Sequence, residues 1–199
     1  MKMYKKTIEL ISHGGRPSYF DITPEVKKAI KESEIKDGLC FAISPHTTCS
    51  VFFEEYIHDY TEEGDEYLQA DLNDVLEKII PRHKNAEQYR YPGEKHFEEV
   101  FSWPEEKIRS FLPNMQRSEC FNADGHLRST LIGNSVTLDV EEGELGVGLT
   151  GYVYFVDFDC THSRKRKCKI VILGEESSEQ QASLKESVKE KEGESCWQI

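Results

Sequence analysis

Three histidines in this chain stand where a side chain reaches a cleft more readily than a core. His46 sits in Ser44-Pro45-His46-Thr47-Thr48, between two apolar runs, and His126 closes Asn122-Ala123-Asp124-Gly125-His126 at a helix start. His96 lies in an irregular middle stretch rich in tyrosine and proline. Three imidazoles from distant segments can make a metal site with one open position. Each also has an ordinary reading. His46 can be a core histidine donating to a carbonyl, His126 a helix cap, and His96 a surface residue beside Glu94, Glu98 and Glu99, with His83 as its competitor. Spacing does not decide between these readings. Around the histidines stand residues suited to an anion. Thr47 and Thr48 carry hydroxyls, Arg128 follows Gly125 by three positions, and the basic run Arg164–Lys169 either binds phosphate or makes a solvated turn. Unpaired N–H groups at the start of the helix near His126 favour an anion as well.

These residues need elements to hold them. Tyr4–Ile11 alternates as a strand does, and Thr23-Pro24 opens a helix with threonine as cap and proline at the first helical position. Leu39–Ile43 and Thr47–Phe53 read as buried strands, which places His46 at a bend or bulge between them. Glu54–Glu66 carries seven acidic residues and reads as a solvated loop, followed by a helix to Ile80 that Pro81 ends. Residues 82–121 are irregular apart from a short helix beginning at Pro104, and their aromatic content predicts a packed segment. Asn122 or Asp124 caps the next helix, Gly125 allows another backbone to come close, and Gly133 stops it. Two strands joined at Glu142-Gly143 follow, Ser135–Val140 and Leu145–Leu149. Tyr152–Phe158 is a further strand, with Tyr152, Tyr154, Val156 and Phe158 on one face and Val153, Phe155 and Asp157 on the other. Asp157 on that second face needs a partner or a strand end. Lys169–Leu173 is the last strand.

The totals exclude several classes. A formal charge of −12, of which residues 175–199 supply −4 through seven Glu and three Lys, argues against a nucleic-acid or anionic-membrane partner. Residues 1–174 read as one domain, and 175–199 as an acidic disordered tail. No apolar run is long enough to span a bilayer, and no signal-peptide core is present, so the cytoplasm is the expected compartment. The six cysteines contain no C-x-x-C pair, which argues against a cysteine zinc site. There is no Gly-rich phosphate loop and no G-x-S-x-G elbow.

The order Pro45-His46-Thr47-Thr48, then Asn122-Ala123-Asp124-Gly125-His126-Leu127-Arg128-Ser129-Thr130-Leu131, then Leu149-Thr150-Gly151-Tyr152-Val153-Tyr154-Phe155-Val156-Asp157 resembles the YjbQ-like family, the secondary thiamine-phosphate synthases. The resemblance runs from about Lys5 to Leu173. It implies an α+β fold, a sandwich of two mostly antiparallel β-sheets with helices, assembled as a homotrimer. It implies a transferase of thiamine biosynthesis that joins an aminopyrimidine diphosphate to a thiazole phosphate with loss of pyrophosphate. His46, His126 and Asp157 would be catalytic. Thr47, Thr48, Arg128 and Arg164 would hold phosphate, and His46, His96 and His126 would hold a divalent ion, zinc or magnesium. Histidine ligands suit zinc better than the magnesium usual in pyrophosphate chemistry. Other functions fit the same residues: a metal-dependent hydrolase of a small phosphorylated or heterocyclic compound, or a non-catalytic trimer that binds a small anion. Phe97–Phe121 resembles an insertion of the longer members, and Thr150-Gly151-Tyr152 replaces a more usual tryptophan-containing segment.

Overall fold

The computed structural model describes residues 1–176. The expected acidic tail lies outside the described residues except for Glu175 and Glu176, which extend the last strand. The order is β1 (Lys2–Ile11), β2 (Ser18–Asp21), α1 (Thr23–Ser33), β3 (Ile35–Ile43), β4 (Cys49–Glu55), α2 (Tyr67–Ile79), α3 (Glu94–Phe101) and α4 (Glu105–Phe111). A 3-10 turn (Arg117–Cys120), α5 (Ala123–Ile132), β5 (Ser135–Glu141), β6 (Glu144–Leu145), β7 (Gly151–Asp157) and β8 (Lys165–Glu176) complete it. Among the described residues no helix is long and apolar enough to cross a membrane.

Two antiparallel sheets form, one in the order β1-β8-β3-β5-β6 and one in the order β2-β7-β4. Every neighbour pair is antiparallel, so each strand can expose one face and bury the other. β1 does so with a strict period of two. The main core lies between the sheets. Cys40, Ala42, Ile170 and Ile172 of the large sheet face Val51, Val153 and Phe155 of the small one, and α1 adds Val26, Ala29 and Ile30, all 0–1% exposed. The opposite face of β7 packs Val156 and Phe158 against Leu76 and Leu72 of α2 and Ile132 of α5. β7 is therefore covered on both sides, which explains its apolar content and forces any polar residue in it to find a partner inside.

Four expectations change. Thr23 is the first helical residue, not the cap, and its hydroxyl accepts the Val153 N–H at 2.8 Å. β6 covers only two residues, because the chain leaves the sheet after Leu145. The basic run 164–169 is no solvated turn. It becomes the start of β8, with Arg166 and Cys168 facing inward and Lys165, Lys167 and Lys169 outward. Residues 82–121 are packed as expected and α4 follows Pro104 as expected, but α3 and a 3-10 turn join it around a small core of Phe97, Val100, Ile108, Leu112 and Cys120.

Candidate functional site

The loop 44–48 does not join two neighbouring strands. It crosses from β3 in one sheet to β4 in the other, and α5 lies beside β4. Gly125 makes the close approach possible, since a Cβ there would stand 3.0 Å from the Phe158 carbonyl oxygen. The crossover loop and α5 thus meet at the end of β7. A cavity of about 330 Å3 opens at that junction and is lined by His46, Thr47, Thr48, His96, His126 and Arg164. Six of the eight expected site residues therefore share one space. Its lining also includes Tyr91, Asn122, Asp159 and Arg166, and an apolar side that contains Trp103, Phe111 and Leu112.

The two central histidines are held in different hydrogen-bonding states. The His46 main-chain N–H donates to Ser44 Oγ at 3.2 Å, and its carbonyl accepts the Cys49 N–H at 3.3 Å, which closes the loop. Its ring Nε2 accepts the Lys167 main-chain N–H at 2.8 Å. A neutral imidazole whose Nε2 is an acceptor carries its proton on Nδ1, so His46 is a donor at its other nitrogen. His126 is held differently. Its ring lies against the Thr47 main chain, a contact that favours the protonated ring. Burial holds both rings below the usual histidine pKa, and for His46 the Arg166 charge adds to the effect. Both are neutral at pH 7. Tyr91 stands edge-on to His126 with ring centroids 5.4 Å apart, and its hydroxyl is 3.4 Å from His96 Nε2. Burial pushes the Tyr91 phenol up to about 12.

Beneath the histidines lies an ionic layer. Arg166 Nε donates to Asp157 Oδ2 at 2.7 Å and its Nη2 to Asp157 Oδ1 at 3.0 Å, a two-pronged pair that spans the two sheets. The same Nη2 donates to Thr48 Oγ1 at 3.1 Å. Asp157, 0% exposed, is outside the cavity lining; it also accepts the Asp159 N–H at 3.0 Å and the Cys49 thiol at 3.3 Å. Its acceptor sites are filled, so it orients Arg166 and Thr48 and does not face the cavity. Asp159 accepts from Asn122 Nδ2 at 3.0 Å and Thr161 Oγ1 at 2.6 Å. Burial alone would raise its carboxyl, but Arg164, Thr161 and Asn122 hold it below the usual range. Arg164 Nε is 3.1 Å from Asp159 Oδ2 yet points off the hydrogen-bond axis, so that pair is held by charge. Two arginines are thus matched by two aspartates. The cavity offers oriented N–H donors more than net positive charge.

Arg128 is elsewhere. It projects from α5 to the end of α2, where its guanidinium donates to Glu77 at 2.6 Å and to the Ile80 carbonyl at 2.8 Å. A cation there satisfies the carbonyl end of a helix, and Arg128 has no place in the histidine cavity. The start of α5 is also occupied. Asn122 makes no side-chain cap, the Ala123 N–H donates to His83 Nδ1 at 3.3 Å, and Asp124 takes main-chain N–H groups of its own turn. The expected free anion site at that helix start is absent.

The expected metal ligands are His46, His96 and His126. Among the described residues no three His, Cys, Asp or Glu side chains form a group able to hold a metal ion. His46 Nε2 is bonded to Lys167, His126 has one nitrogen on Thr47, and Arg164 and Arg166 line the same space. This donor set does not fit a resident divalent ion, zinc or magnesium.

Arg166 and Asp159 were missed as site residues. The signal for Arg166 was available: in Arg166-Lys167-Cys168-Lys169-Ile170 the arginine is in phase with the buried Cys168 and Ile170. A charge in phase with a buried strand face needs a buried counter-charge. Asp159 carried no comparable signal.

Four histidines, His46, His83, His126 and His162, have pKa values lowered from 6.5, each first by burial. The unfolded chain therefore binds more protons than the folded one as pH falls below 6.5, and stability is lost in that direction. The melting temperature should be flat from pH 7 to 8 and fall steadily below 6.5. A melting curve followed by circular dichroism at each pH checks this.

Five antiparallel strands over three, with a polar cavity where a crossover loop meets a helix, define an α+β sandwich with a pocket at one sheet end. The chain belongs to a known family of this architecture: the family described as UPF0047 protein YjbQ-like matches residues 6–175. A UPF0047 protein of Archaeoglobus fulgidus is 30% identical over 150 residues, covering 75% of this chain and 88% of that protein. UPF0047 protein YugU of Bacillus subtilis is 28% identical over 159 residues, covering 80% and 92%. The fold is similar to a crystal structure of a YjbQ/UPF0047 family protein from Clostridium acetobutylicum, with a TM-score of 0.59 at 23% identity over 84% of this chain and 99% of that one. A YbjQ-like protein of unknown function from Sulfolobus solfataricus is similar too, with a TM-score of 0.60 at 20% identity over 87% of this chain and 100% of that one.

Proposed function

We propose that this chain joins an aminopyrimidine diphosphate to a thiazole phosphate, the reaction of a thiamine-phosphate synthase. One observation supports the reading above the others: His46, whose Nδ1 carries the ring proton, and His126, kept neutral by burial, line one cavity with Arg164. In the reaction the bond between the pyrimidine methylene carbon and the pyrophosphate oxygen breaks, and the electron pair leaves with the oxygen. The thiazole nitrogen uses its lone pair to form the new carbon–nitrogen bond. Pyrophosphate takes its proton from solvent.

The barrier comes from separating charge, so the catalyst must meet both signs. His46 Nδ1–H, Arg164 and the Thr47 hydroxyl would meet the negative charge on the leaving oxygens. Positive charge spreads from the methylene carbon into the pyrimidine and makes its amino N–H groups more acidic. The His126 lone pair would accept from that amine. Thr48, which already accepts from Arg166, would hold Arg166 in place and not contact phosphate. The protein's own donors carry the counter-charge in this reading; magnesium borne by the pyrophosphate would enter as part of the substrate.

The test is product formation by the purified full chain with the two phosphorylated precursors. Thiamine phosphate at a rate proportional to enzyme concentration is the expected result. No product at any enzyme concentration would refute the reading.

A further inference from the structure

We infer that α3 and α4 form the element that selects the ligand's ring, with Trp103 and Phe111 as its stacking surface. The inference rests on the reading that the histidine end of the cavity takes an anion. The same cavity that carries His46, His126 and Arg164 at one side carries Trp103, Phe111 and Leu112 at the other. Leu112 is buried, but Phe111 is 47% exposed and Trp103 is only half-buried. Large aromatic surface is thus left open toward a polar pocket. Trp103 packs in part against the small core of Phe97, Val100, Ile108 and Leu112, while Phe111 stands outside that core.

Trp103 is also held in a fixed pose. Its indole N–H donates to Glu99 at 3.0 Å, the Lys107 ammonium lies 3.6 Å from its ring centroid, and the Phe111 ring is 5.8 Å away at 60°. Trp103 lines the cavity and Lys107 does not, so the ring carries the cation on one face and still contributes surface to the cavity. An indole fixed on three sides loses little freedom when a ring settles on it, which is the condition for tight stacking. The substrate class that follows is a phosphorylated compound with a flat aromatic ring. Its anion would lie at the His46–Arg164 end and its ring on Trp103 and Phe111.

Calorimetric titration of the full chain with inorganic phosphate and with naphthyl phosphate tests this, because the two share an anion and differ by a ring. The wild type should bind naphthyl phosphate at least about tenfold tighter than phosphate, as stacking on one aromatic side chain allows. Trp103→Ala and Phe111→Ala should each remove most of that difference and leave phosphate binding within about twofold of wild type, while Trp103→Phe should keep much of it. In a Trp197→Phe background, the nitrogen-labelled Trp103 indole signal should shift with naphthyl phosphate and stay in place with phosphate. Equal affinity of the wild type for both ligands, an unmoved indole signal, or parallel loss of both ligands in the alanine variants would overturn the inference while leaving the anion reading intact. If neither ligand binds the wild type, both fail together.

Discussion

Replacing Asp157 with alanine should lower the melting temperature by roughly 10 °C at neutral pH. The cause is the guanidinium that the change leaves behind. Arg166 is buried at 8% exposure and donates both prongs of its pairing to Asp157, at 2.7 and 3.0 Å. Removing one partner of a buried ion pair costs about 3–5 kcal/mol, because the remaining charge keeps its desolvation penalty without compensation. In a chain of this size each kcal/mol is worth about 2–4 °C. The 3.7 Å contact between Arg166 and Asp159 is too long to replace the lost fork. The double variant Asp157→Ala with Arg166→Met should recover much of the loss, since it removes both charges. Thermal melts of the three proteins decide the matter. A single variant within about 2 °C of wild type would mean that water or a rearranged Asp159 solvates Arg166.

His126→Ala should reduce turnover by about 10²- to 10⁴-fold, the range for loss of a positioned acid–base group, with far less effect on melting. His126 is half-buried and makes one main-chain contact, to Thr47, so the fold does not depend on it as it does on Asp157. Its pKa is lowered by burial, so the rate should be level above pH 6.5 and fall only at more acid pH, where the lone pair is lost to a proton. Steady-state rates of product formation across pH 5 to 8, for wild type and variant, measure both effects. A variant turning over within threefold of wild type would remove His126 from the chemistry.

How much of this was readable beforehand depended on how local each fact is. The β7 strand was legible because its two faces alternate within seven residues, and that alternation already set Asp157 on the face that needs a partner. Gly125 and Gly133 were legible for the same reason: one permits the approach to Phe158, and the other ends α5 at φ 99°. The meeting of His46 and His126 was not legible from spacing. It depends on a crossover between two sheets, which no periodicity encodes. Arg128 was misplaced because position on a helix, three after a glycine, says nothing about which side faces the cleft. Seen from α5, Arg128 is turned toward the end of α2, and His126 toward the crossover loop. Arg166 was lost by reading a run of five basic residues as one surface, although only the outward lysines belong to that surface. The catalytic role of Asp157 is what the family resemblance implies; its two bonds from Arg166 give it an orienting role instead.

The measurement that bears most directly on the histidine pocket is a crystal structure of the full chain with pyrophosphate bound. The anion should lie in the cavity between the crossover loop and α5, with His46 Nδ1 and an Arg164 nitrogen within hydrogen-bond distance of its oxygens. Pyrophosphate bound instead in the cleft of Arg82 and Lys84, with the histidine cavity holding none, would contradict it.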